Sequence, residues 1–204
     1  MSVLLEGPTQ TGKTALAASV AHHSGFPYIR IISADQFIGM GESQKCEKIY
    51  STFMDAYKSP LSLIFVDDIE RLIEYVPVGP RFSASILQTL LVMIKKAPTM
   101  EGSRILIVAT TAVAHLIEDL GLTKAFSVNL SVPCLTDKEE LSKVLEGSGS
   151  NLRREEIATI VAAIKEPIGI KQLLDVVEMA RSEAGESASI STALFLECLH
   201  VRGF

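Results

Sequence analysis

A glycine-rich loop near the start of the chain constrains the fold more than any other feature. Residues 7–14 match the pattern G-x-x-x-x-G-K-[ST] in full, directly after an apolar run at residues 2–5 and directly before a helical pattern that begins at Lys13. Backbone N–H groups of such a loop turn toward phosphate oxygens, and the helix points its positive end at the same charge. The chain is therefore predicted to place a strand, a phosphate-binding loop and a helix in succession.

This loop supplies the first candidate ligands for a nucleoside triphosphate. The Lys13 ammonium is expected to reach the β- and γ-phosphates, and the Thr14 hydroxyl is expected to bind Mg²⁺. A chance glycine turn is the competing interpretation, and the flanking strand and helix disfavour it. The predicted ATP-binding residues here are Gly7, Pro8, Thr9, Gln10, Thr11, Gly12, Lys13, Thr14 and Ala15.

Strand-like and helical patterns alternate over the first two thirds of the chain. Residues 61–66 and 105–108 are almost continuously apolar, as expected for parallel strands that are covered on both faces. We therefore predict an α/β fold with a parallel five-stranded sheet and helices on both faces. The predicted strands are residues 2–5, 28–32, 61–66, 104–109 and 127–130, and the predicted helices are residues 13–22, 43–58, 83–96 and 114–120.

The pattern changes after Pro133, because no convincing strand follows it. Thr136 and Glu139 fit a capping box at the start of a helix, residues 146–151 are typical of a loop, and three further helices are predicted. These span residues 154–164, 170–184 and 190–201. We therefore predict two domains: an α/β nucleotide-binding domain at residues 1–134 and a small all-α lid domain at residues 135–204.

Two acidic residues follow the apolar residues 63–66. Asp67 is expected to hold Mg²⁺ through its water shell, although a strand that simply ends in a polar turn is the alternative. Asp68 is the candidate general base for the attacking water. Aspartate is one methylene shorter than glutamate, and a displacement of about 1 Å lowers a rate on the order of a hundredfold. We therefore predict ATP binding with slow hydrolysis; substitution by Glu70 is disfavoured, because it lies beyond the strand end.

Two later segments add candidate residues. Thr111 ends another apolar run and is a candidate to contact the γ-phosphate or the attacking water, but its hydroxyl is equally suited to capping the following turn. Gly169, Ile170 and Lys171 begin a helix, where the glycine permits close backbone approach and Lys171 is placed to reach a phosphate. A solvated surface lysine is the alternative for Lys171.

Composition excludes several classes of protein. The 204 residues are 48% hydrophobic and 21% charged, so a packed core is expected and disorder is not. The net charge of −5 gives no overall attraction for nucleic acid. Three widely spaced cysteines suggest reduced thiols in a cytoplasmic protein, and no run approaches the roughly 20 apolar residues of a membrane span. Because the chain opens directly on a strand that is usually central, we expect a fragment of a longer protein.

The phosphate loop, the Asp67 and Thr111 strands and the helix start at Gly169 occur in the order and spacing of an AAA+ module, which the whole chain resembles. More narrowly, the chain is similar to the second ATPase domain of the N-ethylmaleimide-sensitive fusion family of vesicle-fusing ATPases. The segment most specific to that family is residues 75–83. The other similar segments are residues 4–8, 12–18, 55–60, 66–72 and 168–174.

The resemblance implies a function and a set of partners. Proteins of this family separate SNARE complexes after membrane fusion, working as homo-hexamers with a SNAP adaptor, peripheral to membranes and without insertion. The resemblance implies that the second domain binds ATP tightly, hydrolyses it poorly and holds the hexamer together, and that Lys171 contacts the γ-phosphate.

Departures from the general AAA+ pattern agree with a weakly hydrolysing domain. An active module commonly carries glutamate at the position of Asp68 and asparagine at that of Thr111, and it offers arginine fingers where residues 122–126 contain none. The segment 39–43 lacks the usual pore-loop aromatic residue; Phe37 lies nearby, but packing is the favoured role for it.

Three competing functions remain open at this stage. A fully active AAA+ motor that remodels another protein complex would hydrolyse ATP rapidly. A clamp loader or initiator acting on nucleic acid is disfavoured by the acidic charge balance. A small phosphate-loop kinase is disfavoured by the helical lid and the lack of acceptor-site arginines.

Overall fold

The structure, a computed structural model, describes residues 1–78, 81–98, 102–150, 152–185 and 190–203. These residues form two compact units. The first unit contains residues 1–7 and the described residues between 13 and 132, and the second contains residues 8–12 and the described residues from 133 onward. The predicted domain boundary lies two residues further along, between residues 134 and 135. Residues 79–80 of the family-specific segment 75–83 and residue 151 of the predicted loop 146–151 fall outside the described residues.

The first unit contains a sheet whose described strands are all parallel and lie in the order β2-β3-β4-β1-β5. This architecture confirms the predicted fold class. Strand β4 extends through Thr111, two residues beyond the predicted end, because the two threonines continue the ladder with β1. The strands are β1 (Ser2–Glu6), β2 (Tyr28–Ile32), β3 (Leu61–Val66), β4 (Arg104–Thr111) and β5 (Val128–Ser131).

Alternate side chains of the central strands enter two separate hydrophobic clusters. Leu5 and Phe65 belong to the same cluster as Ala17, which lies on the first helix. Ile64, next to Phe65 in β3, belongs to a larger cluster that includes Phe53. Successive strand residues point to opposite faces of a sheet, so the sheet has helices on both faces, as predicted.

Helices flank these strands and make up most of the second unit. The short helix α3 was not predicted, because its four residues directly follow the two aspartates and resemble a turn. None of the helices in the described ranges is both long and apolar enough to cross a membrane. The helices are α1 (Lys13–His23), α2 (Glu42–Ala56), α3 (Ile69–Leu72), α4 (Ala84–Lys95), α5 (Ala114–Asp119), α6 (Lys138–Gly147), α7 (Arg154–Ala163), α8 (Ile170–Ala184) and α9 (Thr192–Val201).

Phe37 ends a 3₁₀ turn that runs from Ala34 to Phe37. Its side chain is only 4% exposed and belongs to the larger core cluster of the first unit. The packing role that the sequence favoured is therefore confirmed. Ile38 and Met40, which follow it, are exposed.

The helical second unit has its own core. Residues from α6 to α9 share one cluster, which includes Leu145, Val176 and Phe195, each fully buried. The predicted start of α6 was wrong by one position: Asp137, not Thr136, is the N-cap residue, and its carboxylate accepts a hydrogen bond from Glu139 N at 3.2 Å. The predicted start of the loop at residue 146 was also too early, because α6 continues to Gly147.

Asp137→Ala is expected to destabilise the second unit, because it removes the acceptor for an orphan N–H at the helix start. Loss of an N-cap costs about 1 kcal/mol. Chemical unfolding followed by circular dichroism measures the change. Thr136→Ala is the matched control and is expected to have little effect; a larger loss for Thr136→Ala than for Asp137→Ala would restore the original capping assignment.

Candidate functional site

The glycine-rich loop begins and ends at positions with strong backbone constraints. Gly7 has φ of 155°, and a Cβ atom there would lie 2.2 Å from the Val132 carbonyl oxygen, so only glycine fits. Lys13 is 6% exposed, and its Nζ donates a hydrogen bond to the Gly7 carbonyl oxygen at 2.9 Å. Within the loop, the Thr11 hydroxyl donates to the Pro8 carbonyl oxygen at 3.0 Å. The ammonium of Lys13 is thus held at the beginning of the loop.

Residues 8–12 group with the helical unit, where they contact the start of α8. Gln10 has a left-handed backbone with φ of 67°, and its carbonyl oxygen accepts a hydrogen bond from Lys171 N at 3.0 Å. A Cβ atom on Gly169 would lie 2.8 Å from the same oxygen, and one on Gly12 would lie 3.0 Å from Ile170 Cγ2. Gly169, Ile170 and Lys171, three predicted ATP-binding residues, therefore lie against the loop.

The remaining predicted ATP-binding residues of the loop segment, Thr9, Thr14 and Ala15, are exposed, as is Lys171. Exposure leaves Thr14 and Lys171 accessible to an incoming ligand. It also means that neither side chain is fixed by surrounding protein packing.

Asp67 forms the centre of a hydrogen-bonded cluster in the first unit. Its Oδ1 accepts from the Thr14 hydroxyl at 2.9 Å and from the Thr110 hydroxyl at 2.7 Å. The register of β3 and β4 pairs Val66 with Ala109, so the next residues, Asp67 and Thr110, lie level with each other. Magnesium prefers oxygen ligands and is usually held by one or two protein groups together with phosphate and water, so the hydroxyl of Thr14 and the carboxylate of Asp67 fit this ion.

Asp68 has a left-handed backbone with φ of 49°. Its N–H donates to the Thr110 hydroxyl at 2.9 Å, and its Oδ2 lies 3.3 Å from Arg71 Nε. Burial raises the pKa of its carboxyl, the charges of Asp67 and Glu70 raise it further, and Arg71 and Lys13 partly offset the rise. Asp68 is therefore close to Asp67 but is also engaged in an ion pair within its own turn.

Thr111 and Glu70 have structural partners of their own. Thr111 is fully buried, and its hydroxyl accepts a hydrogen bond from Val113 N at 3.1 Å, which is the turn-capping arrangement. Glu70 Oε1 accepts from Ala112 N at 2.9 Å. The bond to Glu70 ties the segment after β4 to α3, whereas the bond to Thr111 closes the turn within that segment. Contact of Thr111 with phosphate or water stays a prediction.

Thr110 is the one residue of this cluster that the sequence analysis missed. Both threonines at the end of β4 follow an apolar run, and adjacent strand residues point to opposite faces. The signal that separates them is the parallel register, which sets Thr110 level with Asp67. That register was not available from hydropathy alone.

Residues 3–134 match the sequence model of the family described as "ATPase family associated with various cellular activities (AAA)". This range includes the loop, the Asp67 cluster and all of the sheet except Ser2. A shorter similarity, 44% identity over 71 residues covering 33% of this chain, relates it to the ATP-dependent zinc metalloprotease FtsH of Streptococcus pneumoniae.

Curated relatives are similar along nearly the whole chain. The vesicle-fusing ATPase of Dictyostelium discoideum is 43% identical over 100% of this chain and 27% of its own length. The Arabidopsis thaliana vesicle-fusing ATPase is 43% identical over 96% of this chain and 26% of its own. The vesicular-fusion protein sec18 of Schizosaccharomyces pombe is 38% identical over 90% of this chain and 24% of its own length. The chain thus spans about a quarter of the length of these relatives.

Gly169→Ala is expected to disturb the contact between α8 and the loop, because its Cβ would collide with a backbone oxygen. Overpacking of this kind costs about 1–3 kcal/mol and should also weaken ATP binding. Gly147→Ala is the matched control: it ends α6 with open space around its Cβ, so stability should be unchanged or slightly raised. Equal unfolding midpoints and ATP affinities for both variants would contradict the described contact.

Asp68→Asn is expected to raise the unfolding temperature of the nucleotide-free, metal-free protein near pH 7. A carboxyl whose pKa is raised by folding destabilises the folded state while charged, and this effect disappears as the pH falls toward the carboxyl's ordinary pKa. Asparagine also tolerates the left-handed backbone. Solvent screening at this half-buried side chain limits the rise to about 2 °C, and the gain should shrink near pH 4.

Asp55→Asn is the control for that experiment. Lys58 lowers the pKa of Asp55 through a hydrogen bond and its charge, so the charged Asp55 is stabilising and the control should not raise the unfolding temperature. A rise for Asp55→Asn equal to that for Asp68→Asn would show that the effect does not come from the surroundings of Asp68.

Proposed function

The chain belongs to the ATPase family associated with various cellular activities (AAA), and from this premise we propose that it binds ATP with Mg²⁺ chiefly to hold identical subunits together in a ring, with weak hydrolysis. The observation that carries the proposal is the Asp67 carboxylate, which accepts hydrogen bonds from both Thr14 and Thr110. Groups suited to binding are thus assembled around Asp67. The candidate groups for hydrolysis, Asp68 and Thr111, instead bond to Arg71 and to Val113 N.

Each binding residue has a role in this proposal. Lys13 neutralises the β- and γ-phosphates, Thr14 and Asp67 hold Mg²⁺, and the backbone of residues 7–12 surrounds the phosphates. Gly169, Ile170 and Lys171 act beside the loop, with Lys171 directed to the γ-phosphate. When bound, Mg²⁺ neutralises charge on the phosphate oxygens.

Slow hydrolysis has two supports in the structure. Asp68, the candidate base, is paired with Arg71 at 3.3 Å, so its carboxylate is partly neutralised and drawn toward its own turn. The Thr111 hydroxyl is used by Val113 N. In addition, the sequence offers no arginine at residues 122–126, and an arginine finger contributes about 10³ to 10⁵ in rate where one operates.

For the longer protein we propose a role in vesicle fusion. The relatives carry the names vesicle-fusing ATPase and vesicular-fusion protein, and the similarity extends over nearly the whole chain. In this proposal the protein separates SNARE complexes as a homo-hexamer with a SNAP adaptor, in the cytoplasm and peripheral to membranes. The thiols of Cys46, Cys134 and Cys198, all unpaired, are compatible with a reducing compartment.

ATP is expected to increase the oligomeric state of the chain, because a ligand that binds the assembled state preferentially stabilises it. Sedimentation velocity with no nucleotide, with ADP and with ATP plus Mg²⁺ measures this. Lys13→Ala is the control that removes a phosphate ligand, and it should remain in the nucleotide-free state. An identical sedimentation profile in all conditions for the unmodified chain would contradict the assembly role.

A fully active motor that remodels another protein complex is the second candidate function. The raised pKa of Asp68 favours it, since a carboxyl with a higher pKa is a stronger base near neutral pH. In that case steady-state hydrolysis is rapid and Asp68→Asn abolishes it, while Asp55→Asn leaves it unchanged. Turnover well below about 1 s⁻¹, at the slow end of enzyme rates, favours the assembly role instead.

A further inference from the structure

Thr110 lies inside the site with a hydroxyl that is fully used. The side chain is 0% exposed. Its Oγ1 donates to Asp67 Oδ1 at 2.7 Å and accepts from Asp68 N at 2.9 Å. A hydroxyl carries a single donor hydrogen, so these two bonds give it one defined orientation.

The two bonds hold two adjacent residues, Asp67 and Asp68, which directly follow strand β3. The first fixes one oxygen of the Asp67 carboxylate, to which Thr14 also donates. The second holds the backbone of Asp68, whose left-handed conformation is unfavourable for most residues. One hydroxyl on β4 therefore sets both the orientation of the carboxylate that fits Mg²⁺ and the direction in which the chain leaves β3.

We propose that Thr110 is a positioning residue for Mg²⁺-dependent ATP binding, and this inference rests on the proposed function. Thr110 acts through Asp67 and Asp68 rather than by contact with nucleotide. Among the described residues, its side-chain hydroxyl bonds only to those two, so the loop contacts to phosphate do not depend on this hydroxyl. Loss of the hydroxyl should thus affect ATP binding in the presence of Mg²⁺ and leave Mg²⁺-free binding unchanged.

Thr110→Val and Thr110→Ser separate the hydroxyl from the shape of the side chain. Valine matches threonine in shape but cannot donate or accept, whereas serine keeps the hydroxyl. ATP affinity is measured by calorimetry with Mg²⁺ and with EDTA for each variant and for the unmodified chain. Thermal unfolding of the same samples confirms that each variant is folded.

The unmodified chain is expected to bind ATP more tightly with Mg²⁺. In Thr110→Val the factor by which Mg²⁺ increases ATP affinity should fall about tenfold, as expected for loss of a hydrogen bond to a charged group. Its ATP affinity in EDTA should stay within about twofold of that of the unmodified chain. Thr110→Ser should keep most of the gain. If valine prevents folding, Thr110→Ala takes its place in the same comparison with serine.

Two results would overturn the inference. One is a Mg²⁺-dependent gain for Thr110→Val equal to that of the unmodified chain; the other is an equal loss in Thr110→Val and Thr110→Ser. Failure of the proposed function would give a distinguishable result: the unmodified chain itself would bind no ATP, or its ATP affinity would not increase with Mg²⁺.

Discussion

The candidate site depends on one carboxylate oxygen, Oδ1 of Asp67, which receives hydrogen bonds from Thr14 and Thr110. These residues come from the start of α1, the end of β3 and β4, three elements that are far apart in the sequence. Hydrogen-bond partners offset the cost of removing a half-buried carboxylate from water. The same hydrogen bonds that stabilise the fold here therefore place the Thr14 hydroxyl and the Asp67 carboxylate where a hard cation with bound phosphate can use them.

Binding and hydrolysis make different demands on this site. Binding requires a loop with left-handed backbone positions, a nearby ammonium and oxygen ligands, and all of these are present around Lys13 and Asp67. Hydrolysis also requires a base that is free to orient water, and Asp68 is instead drawn into an ion pair with Arg71. This difference supports the proposal that the nucleotide stabilises assembly and is hydrolysed slowly.

Much of the fold was predictable because its signals are local. The apolar runs of β3 and β4 and the loop between β1 and α1 indicated a parallel sheet, which the structure confirms. The N-cap of α6 was wrong by one residue because Thr136 and Asp137 are both good caps, and the side-chain partner decides between them. Helix α3 was missed because four residues are too few to show a helical period.

Only those site residues whose positions follow from a motif or from the end of a strand could be predicted from the sequence. Asp67 follows a buried strand, and the loop motif has a fixed spacing, so both could be identified. Thr110 and Thr111 are chemically identical neighbours, and only the pairing of β3 with β4 shows which of them faces Asp67. The contact of Gly169 with Gln10 likewise depends on tertiary structure, which no local pattern encodes.

We propose that Asp67 confers Mg²⁺-dependent ATP binding, and the ATP affinity of Asp67→Asn with Mg²⁺ and with EDTA tests this directly. Asparagine keeps an acceptor for Thr14 and Thr110 but removes the negative charge. The variant is expected to stay folded, to bind ATP in EDTA as the unmodified chain does and to lose the gain in affinity from Mg²⁺. If the variant kept the full gain in affinity from Mg²⁺, Asp67 would not have this role.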